Sequence, residues 1–205
     1  MKILLVSATE AELEPFETIW FRKNQVDRLV SGVGMVATAH SLTRELQSKS
    51  YDLAINIGLA GSFDRTFKLG EVVRVVEDIF SELGAEDGEN ILSLKEMGLS
   101  GTDILLNLDE TMNPHVNKFR KVRGITVNTV HGNEQSIETI QKRLHPQVET
   151  MEGAAFFYVC GKEGVSSLQL RAISNYVEKR NREAWDIPLA LANLKTAVTD
   201  LLNIL

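Results

Sequence analysis

Short, continuously apolar segments alternate along this chain with longer segments whose apolar residues recur every three to four positions. The first kind predicts strands covered on both faces, and the second predicts amphipathic helices. Strands are predicted at residues 2–8, 26–34, 51–63, 69–80, 124–130 and 165–175, and helices at 11–23, 35–48, 133–145, 152–164 and 184–204. The alternation indicates one α/β domain over residues 1–205, with three layers: a mixed, mostly parallel central sheet and helices on both faces.

Two stretches depart from this regularity. Pro15 must lie in the first turn of the helix predicted at residues 11–23 or break it, because proline lacks a backbone N–H. Residues 84–120 are the least regular part of the chain, with several glycines around short apolar pieces.

Composition and charge exclude several classes of protein. A net charge of −6 without a basic stripe disfavours a nucleic-acid partner. No apolar run approaches the roughly 18 residues of a membrane helix, and the amino-terminal run is too short for a signal peptide, so we expect a cytoplasmic protein. A single cysteine, Cys160, excludes an internal disulfide and is interpreted as inert packing, and four scattered histidines argue against a metal site.

Ligands of such sheets bind beyond the carboxyl ends of the strands, so the polar residues there are the candidates for chemistry. The glycine loops at residues 31–34 and 58–61 match no dinucleotide or ATP fingerprint, and tight turns without a ligand are the favoured interpretation. His131, at the end of TVNTVHG, could donate to a ligand, but an incidental position is the favoured interpretation. Asn175, taken alone, is interpreted as a turn former after a strand.

The carboxylates at these ends have competing interpretations. From spacing alone, Glu10, Glu12 and Glu14 are favoured as solvated residues of a helix's first turn, with a catalytic base as the alternative. Glu152 follows Met151 in a setting of small and apolar residues, where a buried carboxylate needs a partner. A pair of ribose hydroxyls and a cap by the backbone amides of its own helix explain Glu152 equally well.

In order and spacing, these segments resemble the nucleoside phosphorylase/nucleosidase superfamily across nearly the whole chain. The matching pieces are MKILLVSATEAEL, SGVGMVATA, INIGLAGSF with LGEVV, VETMEGAAFF and RAISN. Within the superfamily, TVNTVHG and above all RAISNYVEKRNREAW are similar to the futalosine hydrolase family. The resemblance implies a phosphorylase/hydrolase-like fold and hydrolysis of the N-ribosidic bond of futalosine, giving hypoxanthine and dehypoxanthine futalosine in menaquinone biosynthesis, without metal or organic cofactor.

The resemblance also implies roles for matched residues. Glu12 corresponds to the carboxylate that activates water, and Glu152 to the one that holds the ribose hydroxyls. Asn175 stands where adenine-cleaving relatives carry Asp; its NH₂ group offers two donors, which suits the N7 and O6 acceptors of a 6-oxopurine. The implied substrate-binding residues are Ala60, Gly61, Val130, Met151, Glu152, Ser174, Arg180 and Arg182.

The arginines of the charged run 178–183 have two interpretations. Futalosine carries an aryl carboxylate on its 5′ side, and Arg180 or Arg182 could pair with it through a guanidinium fork. A solvated turn, or salt bridges that hold the last helix, is the favoured alternative.

The resemblance implies a purine nucleoside as the small-molecule substrate and a homodimer or higher homo-oligomer. In such oligomers an irregular segment of one subunit closes the 5′ pocket of another, and residues 84–120 are the candidate segment. The absence of arginine from SATEAELEPF favours water over phosphate as the nucleophile. The alternatives are a methylthioadenosine/adenosylhomocysteine-type nucleosidase, disfavoured by Asn175, a phosphorolytic enzyme, and a nucleoside-binding protein without catalysis, disfavoured by Glu12 and Glu152.

Overall fold

A computed structural model describes residues 1–17, 23–88, 90–107 and 114–205. Its strands are β1 Lys2–Ser7, β2 Gln25–Val30, β3 Leu53–Ser62, β4 Val72–Phe80, β5 Ala85–Asp87, β6 Asn90–Leu92, β7 Ile104–Leu106, β8 Arg120–Thr126, β9 Val148–Thr150 and β10 Ser167–Tyr176. Its α-helices are α1 Glu10–Leu13, α2 Met35–Ser48, α3 Glu134–Leu144, α4 Gly153–Glu163 and α5 Ile187–Ile204. Across these ranges no helix combines the length and the apolar character that a membrane crossing requires.

The predicted strands and the four later helices are all present, with boundaries moved by a few residues. The main difference concerns the helix predicted at residues 11–23, whose described part is only partly α-helical. There α1 stops at Leu13, a 3₁₀ turn with Pro15 near its start follows over Glu14–Phe16, and residues 18–22 lie outside the described residues. Strands β5, β6, β7 and β9 were not predicted, because three residues are too few to show a hydrophobic period.

The sheet is mixed, as expected, but it is not open. Seven of its eight strands follow the order β10-β4-β8-β9-β3-β1-β2, and the eighth, β7, pairs with β4. A parallel pairing between β10 and β3 closes β10, β4, β8, β9 and β3 into a five-stranded barrel. The predicted plain three-layer sheet is therefore wrong in this respect, and β1 and β2 form a parallel extension of the barrel beside β3.

Closure depends on one short strand and two bulges. Strand β9 pairs with β8 and, in the opposite sense, with β3 through the pairs Gly61–Glu149 and Ser62–Val148. The register shifts in β4 after Val75 and in β10 after Ile173. Such bulges bend a strand and increase its twist, which a closed barrel requires.

Helices cover both faces of the sheet, as predicted. Ile3 of β1 belongs to an apolar cluster that includes Leu194 of α5. The next residue, Leu4, points to the opposite face and belongs to a second cluster with Leu42 of α2 and Phe156 of α4. The alternation of β1 residues between two clusters is what a strand buried on both faces produces.

Cys160 of α4 lies in the second cluster and is fully buried. Burial raises the pKa of its thiol to about 12, so the thiolate that nucleophilic or metal chemistry needs is scarce near neutral pH. The interpretation of Cys160 as inert packing agrees with this environment.

Candidate active site

A cleft of about 360 Å³ opens at the carboxyl ends of β1, β3 and β10. Its lining includes nine of the ten predicted site residues: Glu12, Ala60, Gly61, Val130, Met151, Glu152, Ser174, Asn175 and Arg180. Arg182 lies outside the lining, in a 3₁₀ turn before α5. A second cavity, of about 510 Å³, is lined by α3 and the β5–β6 hairpin; it contains none of these ten residues and shares His131 with the cleft.

Glu12 is buried, whereas Glu10 and Glu14 on either side of it are exposed, so the solvated interpretation is wrong for Glu12 alone. Its Oε2 accepts hydrogen bonds from the backbone N–H (3.0 Å) and the hydroxyl (2.8 Å) of Thr9, the residue that caps α1. This is the return contact of a capping box, and it orients the carboxylate. Within the described residues, the Leu59 N–H, at 3.3 Å, is the only hydrogen-bond donor to Oε1. Oε1 is therefore the oxygen available to a water molecule.

Gly58 allows Glu12 to approach a buried arginine. A Cβ atom at position 58 would collide with Nη1 of Arg171 and stand 2.8 Å from Oε1 of Glu12. The side chain of the next residue, Leu59, packs against the first apolar cluster, so only its backbone reaches the carboxylate. The first glycine of GLAG therefore leaves the space that the Glu12 carboxylate and the Arg171 guanidinium group share.

Arg171 is the main site residue that sequence analysis missed. Its side chain is 1% exposed; Nε donates to Gln169 Oε1 at 3.0 Å, and Nη2 donates to Asn56 Oδ1. Nη1 lies 4.0 Å from Oε2 of Glu152. A signal was present in the sequence, since Gln169 and Arg171 are two residues apart in a buried strand and so face the same side of it.

The hydrogen bonds of Arg171 continue through the barrel to the start of α4. Gln169 Nε2 donates to Asp78 at 3.0 Å, and the Thr126 hydroxyl donates to the other oxygen of Asp78 at 2.8 Å. The N–H of Ala154 in turn donates to Thr126 Oγ1 at 2.7 Å. A Cβ atom on Gly153 would collide with the Asp78 carboxylate, which explains why the segment VETMEG ends in glycine.

The buried Asp78 predicts an unusual pH dependence of stability. Burial raises the pKa of Asp78 from 3.8 to about 6, against the opposing effects of Gln169, Thr126 and Arg171. The folded protein therefore binds this proton more tightly than the unfolded chain, and the resulting stabilisation is full below about pH 4 and is lost as the pH rises to about 6. A difference of about 2 pH units corresponds to about 3 kcal/mol.

We expect the free energy of unfolding of the unsubstituted protein, relative to Asp78→Asn, to fall by about 3 kcal/mol between about pH 4 and pH 8. Urea unfolding followed by circular dichroism at several pH values measures this difference. A difference that stays constant with pH would contradict the raised pKa, because the hydrogen bonds altered by the amide do not themselves titrate.

Glu152 is held by the other glycine loop. Its Oε1 accepts a 3.0 Å hydrogen bond from the N–H of Gly34, which adopts a positive φ of 91° at the start of α2. The Glu152 side chain makes no cap with the amides of its own helix, so that alternative is wrong. Oε2 faces Arg171 at 4.0 Å and is the oxygen left for a ligand, beside the half-buried Met151.

Asn175 follows the bulge in β10, where Ser174 is the extra residue. Its Oδ1 accepts a 2.8 Å hydrogen bond from the Ser174 hydroxyl, and its Nδ2 donates to the carbonyl of Tyr176 at 3.1 Å. Because a carbonyl only accepts, this second bond fixes which end of the amide is nitrogen. One N–H remains for a ligand, not the two that sequence analysis assumed.

His131 is not incidental. It lies in the cleft wall with its Nδ1 2.7 Å from Oε2 of Glu149, and its backbone N–H donates to the same carboxylate at 3.1 Å. Phe63 meets the imidazole edge-on, with ring centroids 6.1 Å apart. A fixed imidazole therefore stands in the site, which no spacing signal in the sequence indicated.

The charged run after Asn175 is partly structural. Glu178 forms a salt bridge with Arg65, whose guanidinium lies over the ring of Tyr176 at 4.8 Å. Arg180 lies over the ring of Trp185 at 5.4 Å and lines the cleft. In the described part of the chain Arg180 has no carboxylate partner, so its charge is available to a ligand.

Comparison with known proteins agrees with this geometry. A model of the phosphorylase superfamily matches residues 12–205. The chain is 30% identical to a futalosine hydrolase of Thermus thermophilus, over 97% of this chain and 94% of that protein, and 32% identical to one of Acidothermus cellulolyticus, over 83% and 72%. The fold is similar to that of futalosine hydrolase of Helicobacter pylori, with a TM-score of 0.84 and 16% identity over 100% of this chain and 98% of that one. A methylthioadenosine nucleosidase mutant of the same organism, with 5′-methylthioadenosine in its active site, gives 0.86 and 15% over 100% and 99%.

Proposed function

The chain belongs to the phosphorylase superfamily and, within it, to the futalosine hydrolase family, and we propose that its cleft hydrolyses the N-ribosidic bond of futalosine. The products are hypoxanthine and dehypoxanthine futalosine, an intermediate of menaquinone biosynthesis. The observation that carries this proposal is the meeting of two buried carboxylates, Glu12 and Glu152, with the amide of Asn175 around one cleft.

The reaction follows from what each group can do. Departure of the base leaves an oxocarbenium-like sugar, and a water molecule attacks its C1′ atom from the opposite face. Oε1 of Glu12 accepts the proton of that water, while Oε2 of Glu152 accepts a ribose hydroxyl. Arg171, behind both carboxylates, offsets their mutual repulsion, and these steps use only side chains and water.

The surroundings of the nucleophile favour water over phosphate. Phosphorolysis needs cationic groups that hold the attacking phosphate, and the segment from Ser7 to Phe16 contains no arginine. Arg171 is committed to Gln169 and Asn56, and of the arginines in the described residues only Arg180 lines the cleft.

The base end of the cleft favours a 6-oxopurine. The free N–H of Asn175 donates, and a 6-oxopurine presents only acceptors, N7 and O6, on the edge involved. The 6-amino group of adenine is itself a donor, so it cannot accept a hydrogen bond from the free N–H of Asn175. The amide thus disfavours methylthioadenosine as a substrate, although the fold resembles that of methylthioadenosine nucleosidases.

The test is a chromatographic assay in phosphate-free buffer with futalosine, methylthioadenosine and inosine. We expect hypoxanthine from futalosine, with little adenine from methylthioadenosine. Faster release of adenine would assign the chain to the methylthioadenosine type, and a requirement for phosphate with formation of ribose-1-phosphate would make it a phosphorylase. Binding of futalosine without turnover would support a nucleoside-binding protein.

Arg180 supplies a prediction about the 5′ side of the substrate. A hydrogen bond to a charged group contributes about 1.5–3 kcal/mol, so Arg180→Ala should raise KM for futalosine about 10- to 100-fold if its guanidinium pairs with the aryl carboxylate. Inosine lacks the carboxylate, and its KM should change little. Arg182→Ala is the matched control, since Arg182 lies outside the cleft; equal effects of Arg180→Ala on both substrates would assign Arg180 a purely structural role.

We propose that the enzyme works as a homo-oligomer. Val33 is 57% exposed at the cleft and Val36 is 82% exposed in the first turn of α2, which leaves apolar surface for a second copy beside the site. The candidate closing segment, residues 84–120, includes the exposed β5–β6 hairpin, whereas residues 89 and 108–113 lie outside the described residues. The cytoplasmic location and the single-domain organisation stay predictions.

A further inference from the structure

The proposed hydrolysis leaves the departing base short of a proton. Breaking the N9–C1′ bond sends its electron pair onto the purine, and an amide cannot supply a proton at neutral pH. Asn175 also has a single free N–H, because the other donates to the Tyr176 carbonyl. That N–H can serve O6 or N7 of hypoxanthine but not both, so one acceptor of the base is left unmatched.

The His131–Glu149 pair lies beside this gap. Strand pairing places Gly61 opposite Asn175 on one side and opposite Glu149 on the other. A Cβ atom on Gly61 would stand 3.2 Å from Nδ2 of Asn175 and 3.5 Å from Cγ of Glu149, so both side chains approach the same point. A side chain at position 61 would crowd these two groups and Cγ2 of Val177, which stands 3.0 Å from the same point, so glycine allows Asn175 and Glu149 to lie side by side in the cleft that they line with His131.

Glu149 holds the imidazole in one orientation. Its carboxylate, only 4% exposed, accepts from the backbone N–H of His131 and contacts Nδ1 at 2.7 Å. Contact with Phe63 restricts the ring further. With Nδ1 committed to Glu149, Nε2 is the nitrogen left for the cleft.

We propose that His131 is the proton donor to the leaving hypoxanthine, acting at N7 through Nε2, while the free N–H of Asn175 donates to O6. This inference rests on the proposed function. As the N9–C1′ bond breaks, N7 takes the Nε2 proton, and hypoxanthine leaves neutral. Water bonds to C1′ and its proton passes to Glu12; solvent then returns a proton to His131 and removes one from Glu12.

Other charged groups line the two cavities that share His131. They include Glu149 on β9, Glu178 and Arg180 across the cleft, and Glu82, Glu86 and Arg143 on the wall of the adjoining cavity. Glu149 is the one in direct contact, so its removal should have the largest effect on the protonated ring.

The test is the pH profile of kcat for futalosine. In the unsubstituted protein kcat should fall on the alkaline side as His131 loses its proton. His131→Gln keeps a polar side chain that cannot titrate; it should lower kcat on the order of 100-fold, with a small change in KM, and abolish that alkaline limb. His40→Gln, at an exposed position of α2, is the matched control and should leave the profile unchanged.

A second variant keeps the proposal testable if His131→Gln fails to fold. Glu149→Gln retains an oxygen for Nδ1–H but removes the charge, so the alkaline limb should move to lower pH. An unchanged profile in both variants, with kcat within about threefold of the parent, would overturn the role of His131. Failure of the unsubstituted protein to release hypoxanthine would instead refute the proposed function, so the two outcomes are distinct.

Discussion

Glu12→Gln should lower kcat for hypoxanthine release by about 10²–10⁴-fold, the usual contribution of a general base. The amide of glutamine accepts no proton from the attacking water. It can still receive the Thr9 N–H, because a capping box accepts glutamine as well as glutamate, so α1 should form normally. Steady-state kinetics with futalosine, beside thermal unfolding of the same preparation, measures both quantities.

Glu10→Gln is the control for this substitution, since Glu10 lies in the same helical turn but is exposed. It should leave kcat within about twofold of the parent, the range expected for a surface change. Near-full turnover by Glu12→Gln would remove Glu12 from the mechanism and require another base in the cleft.

Gly58→Ala should also reduce kcat, by about 100-fold or more, although position 58 contributes no side chain. The added methyl group would force apart Arg171 and Glu12, and a displacement of about 1 Å in a reacting group can cost about 100-fold in rate. Overpacking of a filled interior also lowers the free energy of unfolding, typically by about 1–3 kcal/mol. Kinetics and urea unfolding of one variant therefore test the proximity of the two charges.

Gly161→Ala provides the matched comparison. Gly161 lies in α4, and a Cβ atom there would meet nothing within 4 Å. Because alanine favours a helix over glycine by roughly 0.5–1 kcal/mol, this variant should be slightly more stable and fully active. Equal activity of Gly58→Ala and Gly161→Ala would mean that Glu12 and Arg171 do not need their close approach.

Much of the site could be predicted because its residues stand at strand ends within recognisable segments. Glu12, Glu152 and Asn175 each follow a predicted strand or short extended segment, and the structure brings them to one cleft. The sequence was less informative about how each group is held. The return contact of Glu12 to Thr9 follows from local spacing, whereas the contact of Glu152 with Gly34 joins residues far apart in the chain.

The barrel and its buried network could not be predicted from apolar periodicity. Closure needs the three-residue strand β9 and two bulges, and each is too short to register as a pattern. Arg171 and Asp78 lie in strands whose prediction rests on apolar residues. Only the closed barrel brings these two charged residues to the same interior, where both are hydrogen-bonded to Gln169. Sequence analysis favoured an incidental His131 because its partner, Glu149, lies on the unpredicted strand.

The extra residue in β10 makes the length of this strand as important as its composition. Side chains alternate across a strand, so a shift of one residue exchanges its two faces. Deleting Ser174 would bring Asn175 one place back along β10 and turn its amide from the cleft toward the apolar layer under α5, with no change in the amino acid itself. Any redesign of this enzyme for other nucleobases must therefore keep that one-residue insertion before it varies the side chain that follows it.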